Sequence, residues 1–185
     1  MMVEAVLTAF GLVFVAELGD KTQLVVLTMG SGRRLGPTLA GLLATIALLQ
    51  ALAVGLGALV ASVASPTTLG IASGVLFLAF AGWTWWSTDV DDDAGGPPGS
   101  LLAFLAAFFL AELGDKSSLA TAVLATTRSA WGTWIGATLG FFAATVLSLA
   151  AGNWLRSRVT PVTMQRVGAV AFLVAGIATL VVTLA

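Results

Sequence analysis

Two copies of the same acidic hexapeptide hold the residues of this sequence that could do chemistry. Residues 16–21 and residues 111–116 both read AELGDK. In each copy the Glu and the Asp are three residues apart, so on a helix both carboxylates project from one face. The four acids are Glu17, Asp20, Glu112 and Asp115. Carboxylate oxygens are preferred ligands of hard divalent cations, so the pattern indicates a cation site.

The composition narrows this chemistry and sets the class of protein. The 185 residues include no Cys and no His, which excludes disulfides, thiol chemistry and Cys/His zinc sites. The oxygen ligands that remain favour Ca²⁺, Mg²⁺ and Mn²⁺. Hydrophobic residues make up 58% of the chain and charged residues 9%, whereas about a quarter of a soluble domain is charged. The chain is therefore predicted to be a multi-pass membrane protein, not a soluble globule, a disordered chain or a nucleic-acid binder.

Hydropathy and chain breaks predict an all-α integral membrane protein with six transmembrane helices. A spanning helix needs about 20 mostly apolar residues, and polar or Pro/Gly-rich breaks divide the chain into stretches of that length. The predicted spans are 3–29, 37–62, 68–88, 101–125, 131–154 and 162–184. An acidic Gly/Pro-rich linker at 89–100 separates a first three-helix repeat, 1–88, from a second, 101–185.

The two halves repeat each other at an offset of 95 residues, the distance from residue 16 to residue 111. Outside the hexapeptide the matches include Phe14 with Phe109, Gly41 with Gly136, and Pro66 with Pro161. Because each repeat has an odd number of helices, the second must enter the membrane from the opposite face. The sequence therefore predicts an inverted-topology repeat, an architecture common in secondary transporters.

The short loops predict the orientation in the membrane. The side that connects helices 1 and 2, 3 and 4, and 5 and 6 carries Arg33, Arg34, Arg156 and Arg158. The other side carries Arg128 alone. By the positive-inside rule the first side is cytoplasmic, so both termini lie outside and the acidic linker inside.

A ridge of small residues lies on the fifth span and predicts close helix packing there. It comprises Gly132, Gly136 and Gly140.

Charges in the middle of the spans need compensation. They are Glu17, Asp20, Lys21, Glu112, Asp115 and Lys116. Each costs at least about 2.5–3.5 kcal/mol at bilayer depth, so mutual pairing, bound cations or protonation must offset them. The two motifs together carry a charge of −2, which one divalent cation or two protons would neutralise. That balance is typical of a cation/proton exchanger, and purely structural ion pairs are the alternative.

Neighbouring residues are predicted to support the site. Gly19 and Gly114 permit a helix break or a close backbone approach, either of which could supply carbonyl oxygens. Gln50 and Thr145 match at the offset and are possible ligands, although interhelical hydrogen bonding is the ordinary role of such residues. The other supporting candidates are Lys21, Thr22, Gln23, Lys116, Ser117 and Ser118.

The doubled motif also has a family resemblance. Residues 17–22 and 112–117 both match E-x-G-D-(K/R)-(T/S). Two copies in six spans around an acidic linker resemble the calcium/manganese–proton antiporter family, which includes bacterial manganese exporters and eukaryotic Golgi manganese/calcium transporters. The resemblance covers essentially the whole chain. It implies export of Mn²⁺ or Ca²⁺ in exchange for H⁺, with the motif acids as ligands and no cofactor.

The chain departs from the family pattern in two places. Ser118 stands where Gln often follows the second motif. The N-terminal extension of the eukaryotic members is lacking, which implies a bacterial plasma-membrane protein. The first residues have no basic segment before the apolar stretch, so no cleaved signal peptide is expected.

Three other functions share parts of this pattern. An exporter of basic amino acids would need carboxylates placed for an ammonium group, which the doubled motif does not favour. A passive cation channel would conduct without counter-transport. A membrane lipid-pyrophosphate phosphatase would need Arg or a nucleophile beside the acids, and no Arg lies mid-span. The prediction is a transporter and not an enzyme, with metal ion, H⁺ and lipid as its partners. The choice between Mn²⁺ and Ca²⁺, the stoichiometry and the oligomeric state stay open.

Overall fold

The computed structural model describes residues 1–18, 34–86, 100–158 and 161–185. In these ranges the chain forms seven α-helices. They are α1 Met2–Glu17, α2 Leu35–Ala61, α3 Pro66–Trp86, α4 Leu101–Glu112, α5 Lys116–Thr127, α6 Ala130–Arg158 and α7 Pro161–Leu184. The all-α prediction agrees with this part of the chain.

Among the described residues, four helices are long and apolar enough to cross a membrane. They are Leu35–Ala61, Pro66–Trp86, Ala130–Ala150 and Arg166–Leu184. These helices correspond to the predicted spans 37–62, 68–88, 131–154 and 162–184. The remaining two predicted spans begin with the shorter helices α1 and α4.

The prediction of one continuous helix over 101–125 is wrong. Helix α4 ends at Glu112, and Leu113 is extended, with φ −67° and ψ 109°. Gly114 then has φ 86°, a left-handed conformation that glycine adopts without steric cost. Helix α5 begins only at Lys116. The span is therefore two short helices joined by an extended segment, and the break lies where the sequence placed a permissive glycine.

The first half shows the start of the same arrangement. Helix α1 ends at Glu17, and Leu18 is extended, with φ −64° and ψ 114°. The continuation of the predicted span 3–29 lies outside the described residues. The other repeat-related helices also begin at matched positions, Leu35 with Ala130 and Pro66 with Pro161.

Helices α1 and α6 pack with their backbones in contact. The glycine ridge of α6 faces carbonyl oxygens of α1, and a Cβ at Gly140 would lie 2.5 Å from the Phe10 oxygen. A Cβ at Gly136 would overlap the carbonyl of Val6. The close packing predicted from the ridge is confirmed. Near the N-terminus of α1, Arg128 Nη1 donates to Glu4 Oε1 at 2.7 Å.

Helix α2 runs alongside α4 and α5 in the same direction. A Cβ at Gly41 would meet the Leu105 side chain, and one at Gly57 would overlap the Ala122 carbonyl. The two residues in contact are 64 positions apart in the sequence in the first case and 65 positions apart in the second. The near-constant difference means that α2 follows both helices across the break at 113–115.

Helices α3 and α7 run antiparallel. Gly70, near the start of α3, lies against Thr183, near the end of α7. Further along α3, Leu78 lies against Gly176, which comes earlier in α7. In the core between these helices, Phe77 stacks on Phe172, and Phe80 packs against Phe172 with its ring tilted by 60°.

The two halves do not pack alike. Helix α1 contacts α6 extensively, whereas the repeat-related pair, α4 and α2, makes a much smaller contact. Gly41 matches Gly136 in the repeat, yet it meets a leucine side chain of α4 and not backbone. Of the two repeat-related interfaces, α1–α6 is therefore packed more closely than α4–α2.

Candidate metal centre

Three of the four predicted acids converge at the ends of helices. Glu17 is the last residue of α1, Glu112 is the last residue of α4, and Asp115 directly precedes α5. One carboxylate oxygen of each lies within 4.8 Å of the others. A Ca²⁺ ion binds oxygens at about 2.3–2.6 Å, so two ligands on opposite sides of it are about 5 Å apart. The spacing of the three carboxylates is therefore compatible with a single bound cation.

Burial gives these acids a strong need for a counter-charge. Glu17 and Glu112 are 0% exposed, and Asp115 is half-buried. Taking an ionised carboxylate out of water costs several kcal/mol unless charge and hydrogen bonds compensate. A divalent cation or bound protons would both provide that compensation. The site is thus suited to exchanging one for the other.

Two helix ends direct further negative charge to the same place. The carbonyl end of a helix carries about half a negative charge, and both α1 and α4 end at the acid cluster. The two helix ends are alike in detail, because Leu18 N–H donates to Phe14 O at 3.1 Å and Leu113 N–H to Phe109 O at 2.9 Å. Two helix ends therefore add to the attraction of a cation.

Residues of the second motif hold its break in shape. Ser118 Oγ and the Asp115 N–H both donate to the carbonyl oxygen of Glu112, at 3.2 Å each. Asp115 Oδ2 accepts from the Ser117 N–H at 3.4 Å, which caps the N-terminus of α5. These bonds hold the backbone on the two sides of the break, and the last one also orients the Asp115 carboxylate. Ser118 was predicted only as a supporting residue, and its bond to Glu112 could not be read from the sequence.

The structure places the other predicted residues in different settings. Ser117 is fully buried, and its hydroxyl has no hydrogen-bond partner within the described part of the chain. Lys116 is half-buried at the first position of α5. Thr145 is buried and donates to Phe141 O in its own helix at 3.0 Å. The predicted residues that lie outside the described ranges are Gly19, Asp20, Lys21, Thr22 and Gln23.

Two known proteins show how far the similarity of the chain extends. A Vibrio cholerae protein named "Putative manganese exporter" is 36% identical over 172 residues, covering 90% of this chain and 86% of that protein. GDT1-like protein 3 of Arabidopsis thaliana is 31% identical over 200 residues, covering 92% of this chain and 68% of that protein. No solved structure matches the chain significantly.

The match to a family model covers nearly the whole chain. The model of the divalent cation/proton antiporter GDT1 matches residues 5–92 and 100–185. These two segments contain both acidic motifs and every helix of the structure, apart from a few N-terminal residues of α1. The family consists of transporters, so the prediction of a transporter and not an enzyme is confirmed. The chain belongs to the GDT1 family of divalent cation/proton antiporters.

Proposed function

We propose that this protein exports Mn²⁺, Ca²⁺ or both from the cytoplasm in exchange for protons. Glu17, Glu112 and Asp115 bind the cation, and Asp20 of the first motif is the fourth acid. The observation that carries the proposal is the approach of three acid oxygens, from both halves of the chain, to within 4.8 Å of one another. The family match supports a divalent cation and a proton as the exchanged ions.

The type of ligand favours these two ions. Carboxylate and carbonyl oxygens suit Ca²⁺ and Mn²⁺, and the sequence offers no His or Cys that would select a softer metal. The name of the Vibrio cholerae relative supports Mn²⁺ and outward transport. The lipid bilayer surrounds the protein, and the cation enters the site as substrate and not as a cofactor.

We also propose that the segments 1–88 and 101–185 form an inverted repeat in a bacterial plasma membrane. The antiparallel packing of α3 against α7, which match at the repeat offset, supports this arrangement. Both termini lie outside and the linker 89–100 lies in the cytoplasm. Alternation between two inverted halves would expose the acid cluster to each side of the membrane in turn.

Cysteine labelling in intact cells tests this orientation, and the chain has no Cys of its own to interfere. We expect Ala185→Cys to react with a membrane-impermeant maleimide added outside. We expect Ala94→Cys, in the linker, to react only after the cells are permeabilised. The opposite pattern would invert the orientation, and labelling of both residues from one side only would contradict a linker and C-terminus on opposite sides.

Proton coupling is tested in proteoliposomes that contain a pH-sensitive dye. Cation and protons compete for the same carboxylates, so apparent Mn²⁺ affinity should fall as the pH falls. For each proton displaced, the fall is about tenfold per pH unit. We expect Mn²⁺ movement in one direction to be matched by proton movement in the other.

A protonophore separates coupled from uncoupled transport in the same vesicles. Uphill Mn²⁺ transport should stop when the protonophore collapses the pH gradient, while downhill movement continues. Uphill transport that persists without the gradient, or that requires Na⁺, would exclude proton exchange even if the carboxylates bind the metal.

A further inference from the structure

Gln50 lies on α2 at the level of the break between α4 and α5. Helix α2 contacts α4 before the break, where Gly41 meets Leu105, and α5 after it, where Gly57 meets Ala122. Gln50 comes seven residues before Gly57, and two turns of a helix return a side chain to nearly the same face. Along the neighbouring helix α5, the residue seven positions before Ala122 is Asp115. The parallel course of the helices therefore brings Gln50 level with Asp115, on the face of α2 that Gly57 turns toward α5.

The environment of the Gln50 amide is unusual. The side chain is 0% exposed, and neither its oxygen nor its nitrogen has a hydrogen-bond partner within the ranges that the structure describes. A buried amide without a partner destabilises a folded protein, and such groups are rare enough to need an explanation. A ligand bound beside Gln50 would supply the partner that its amide lacks among the described residues.

The repeat-related residue, Thr145, already has a hydrogen-bond partner. Thr145 occupies the matched position on α6, but its hydroxyl bonds to Phe141 O in the same helix. The two halves of the site thus differ in a neutral polar group, although their acidic motifs are identical. Among the described residues, the first half thus offers an amide oxygen without a hydrogen bond, and the second half a hydroxyl that already donates one.

We propose that Gln50 is a neutral ligand of the transported cation and binds it through the amide oxygen. Amide oxygens of Gln are common ligands of Ca²⁺, alongside carboxylates. This inference rests on the proposed function, because it assumes that the acid cluster holds the cation. It adds a fourth element, α2, to the helix ends that bind the ion, and it makes the site asymmetric.

The test compares Gln50→Met with Thr145→Val in purified protein, using MnCl₂ and CaCl₂ as probes in titration calorimetry and thermal unfolding. Met fills nearly the same space as Gln without an amide. Even outer-shell partners of metal ligands typically change affinity by about 10–100-fold. We expect Gln50→Met to weaken cation binding by at least about tenfold and to unfold without metal at the same temperature as the unmodified protein or higher. Gln50→Glu, which keeps an oxygen at this position, should retain binding, and so should Thr145→Val.

The outcomes separate this inference from the function on which it rests. If Gln50→Met binds both cations as the unmodified protein does while Glu112→Gln does not, the acid site stands and Gln50 is not a ligand. A lower unfolding temperature without metal, together with unchanged affinity, would assign the amide a structural hydrogen bond and would also overturn the inference. If Glu112→Gln binds normally, the proposed site itself is wrong.

Discussion

Replacing Glu112 by Gln is expected to reduce Mn²⁺ and Ca²⁺ transport by about a hundredfold or more. Glu112 is fully buried, and one of its oxygens lies within 4.8 Å of carboxylates from α1 and from the start of α5. The substitution keeps the shape of the side chain but removes a negative charge that the cation must balance. Outer-shell changes already cost about 10–100-fold in metal affinity, so loss of a ligand should cost at least that. Flux of radioactive Mn²⁺ or Ca²⁺ into proteoliposomes measures the effect.

The effect should be specific to the acid cluster. Glu17→Gln removes the matched charge of the first motif and should reduce transport to a similar degree. Asp92→Asn also removes one acid, but from the predicted linker, and should leave flux within about twofold. Equal amounts of folded protein, checked by size-exclusion chromatography, make the rates comparable. Near-normal transport by both Glu variants would contradict the proposed site.

Gly136→Ala is expected to destabilise the protein strongly for so small a change. The added methyl would overlap the carbonyl of Val6, which belongs to the backbone of α1 and cannot rotate away. The two helices must therefore separate locally. Overpacking of this kind typically costs about 1–3 kcal/mol. Thermal unfolding in detergent should show a clearly lower transition temperature.

Gly11→Ala is the matched control on the partner helix. Nothing lies within 4 Å of the position that its Cβ would occupy. Alanine is favoured over glycine in a helix by about 1 kcal/mol, so this variant should unfold at the same temperature or higher. If Gly136→Ala were as stable as Gly11→Ala, the α1–α6 contact would not be as close as described.

The long spans could be predicted because their signal is local. The mean hydropathy of 20 consecutive residues identifies Leu35–Ala61 and Arg166–Leu184 without any knowledge of their neighbours. The acidic motifs could be predicted as a site for a related reason. Charged residues are costly inside a membrane, so their presence in apolar segments requires a purpose.

The division of the 101–125 span could not be predicted to the residue. Hydropathy does not report backbone angles, and Leu113 is as apolar as any residue within a helix. Gly114 permitted a break, but a glycine inside a helix usually remains helical unless other groups stabilise the alternative. Those groups are Asp115 and Ser118, which bond across the break. Their geometry exists only after the chain has folded.

Contacts between segments far apart in the chain could not be predicted from the sequence either. Glu4 and Arg128 are 124 residues apart along the chain and form an ion pair. Trp134 fits an interfacial anchor by its position, yet its indole N–H donates to Ala47 O at 2.9 Å and links α6 to α2. Gln50 and Thr145 look equivalent in the repeat. Only the structure shows that the Thr145 hydroxyl is hydrogen-bonded, whereas the Gln50 amide has no partner among the residues it describes.

The unequal packing of the two halves has a consequence for the rest position of the carrier. If transport exchanges the conformations of the two repeats, α4 must close on α2 as α1 now closes on α6. The ridge that receives α1 has three glycines, whereas the matched positions on α2 are Pro37, Gly41 and Thr45. Closure on that side is sterically harder, so the two orientations differ in free energy, and each 1.4 kcal/mol corresponds to about a tenfold bias in population. The carrier would then rest mainly in the orientation in which α1 closes on α6.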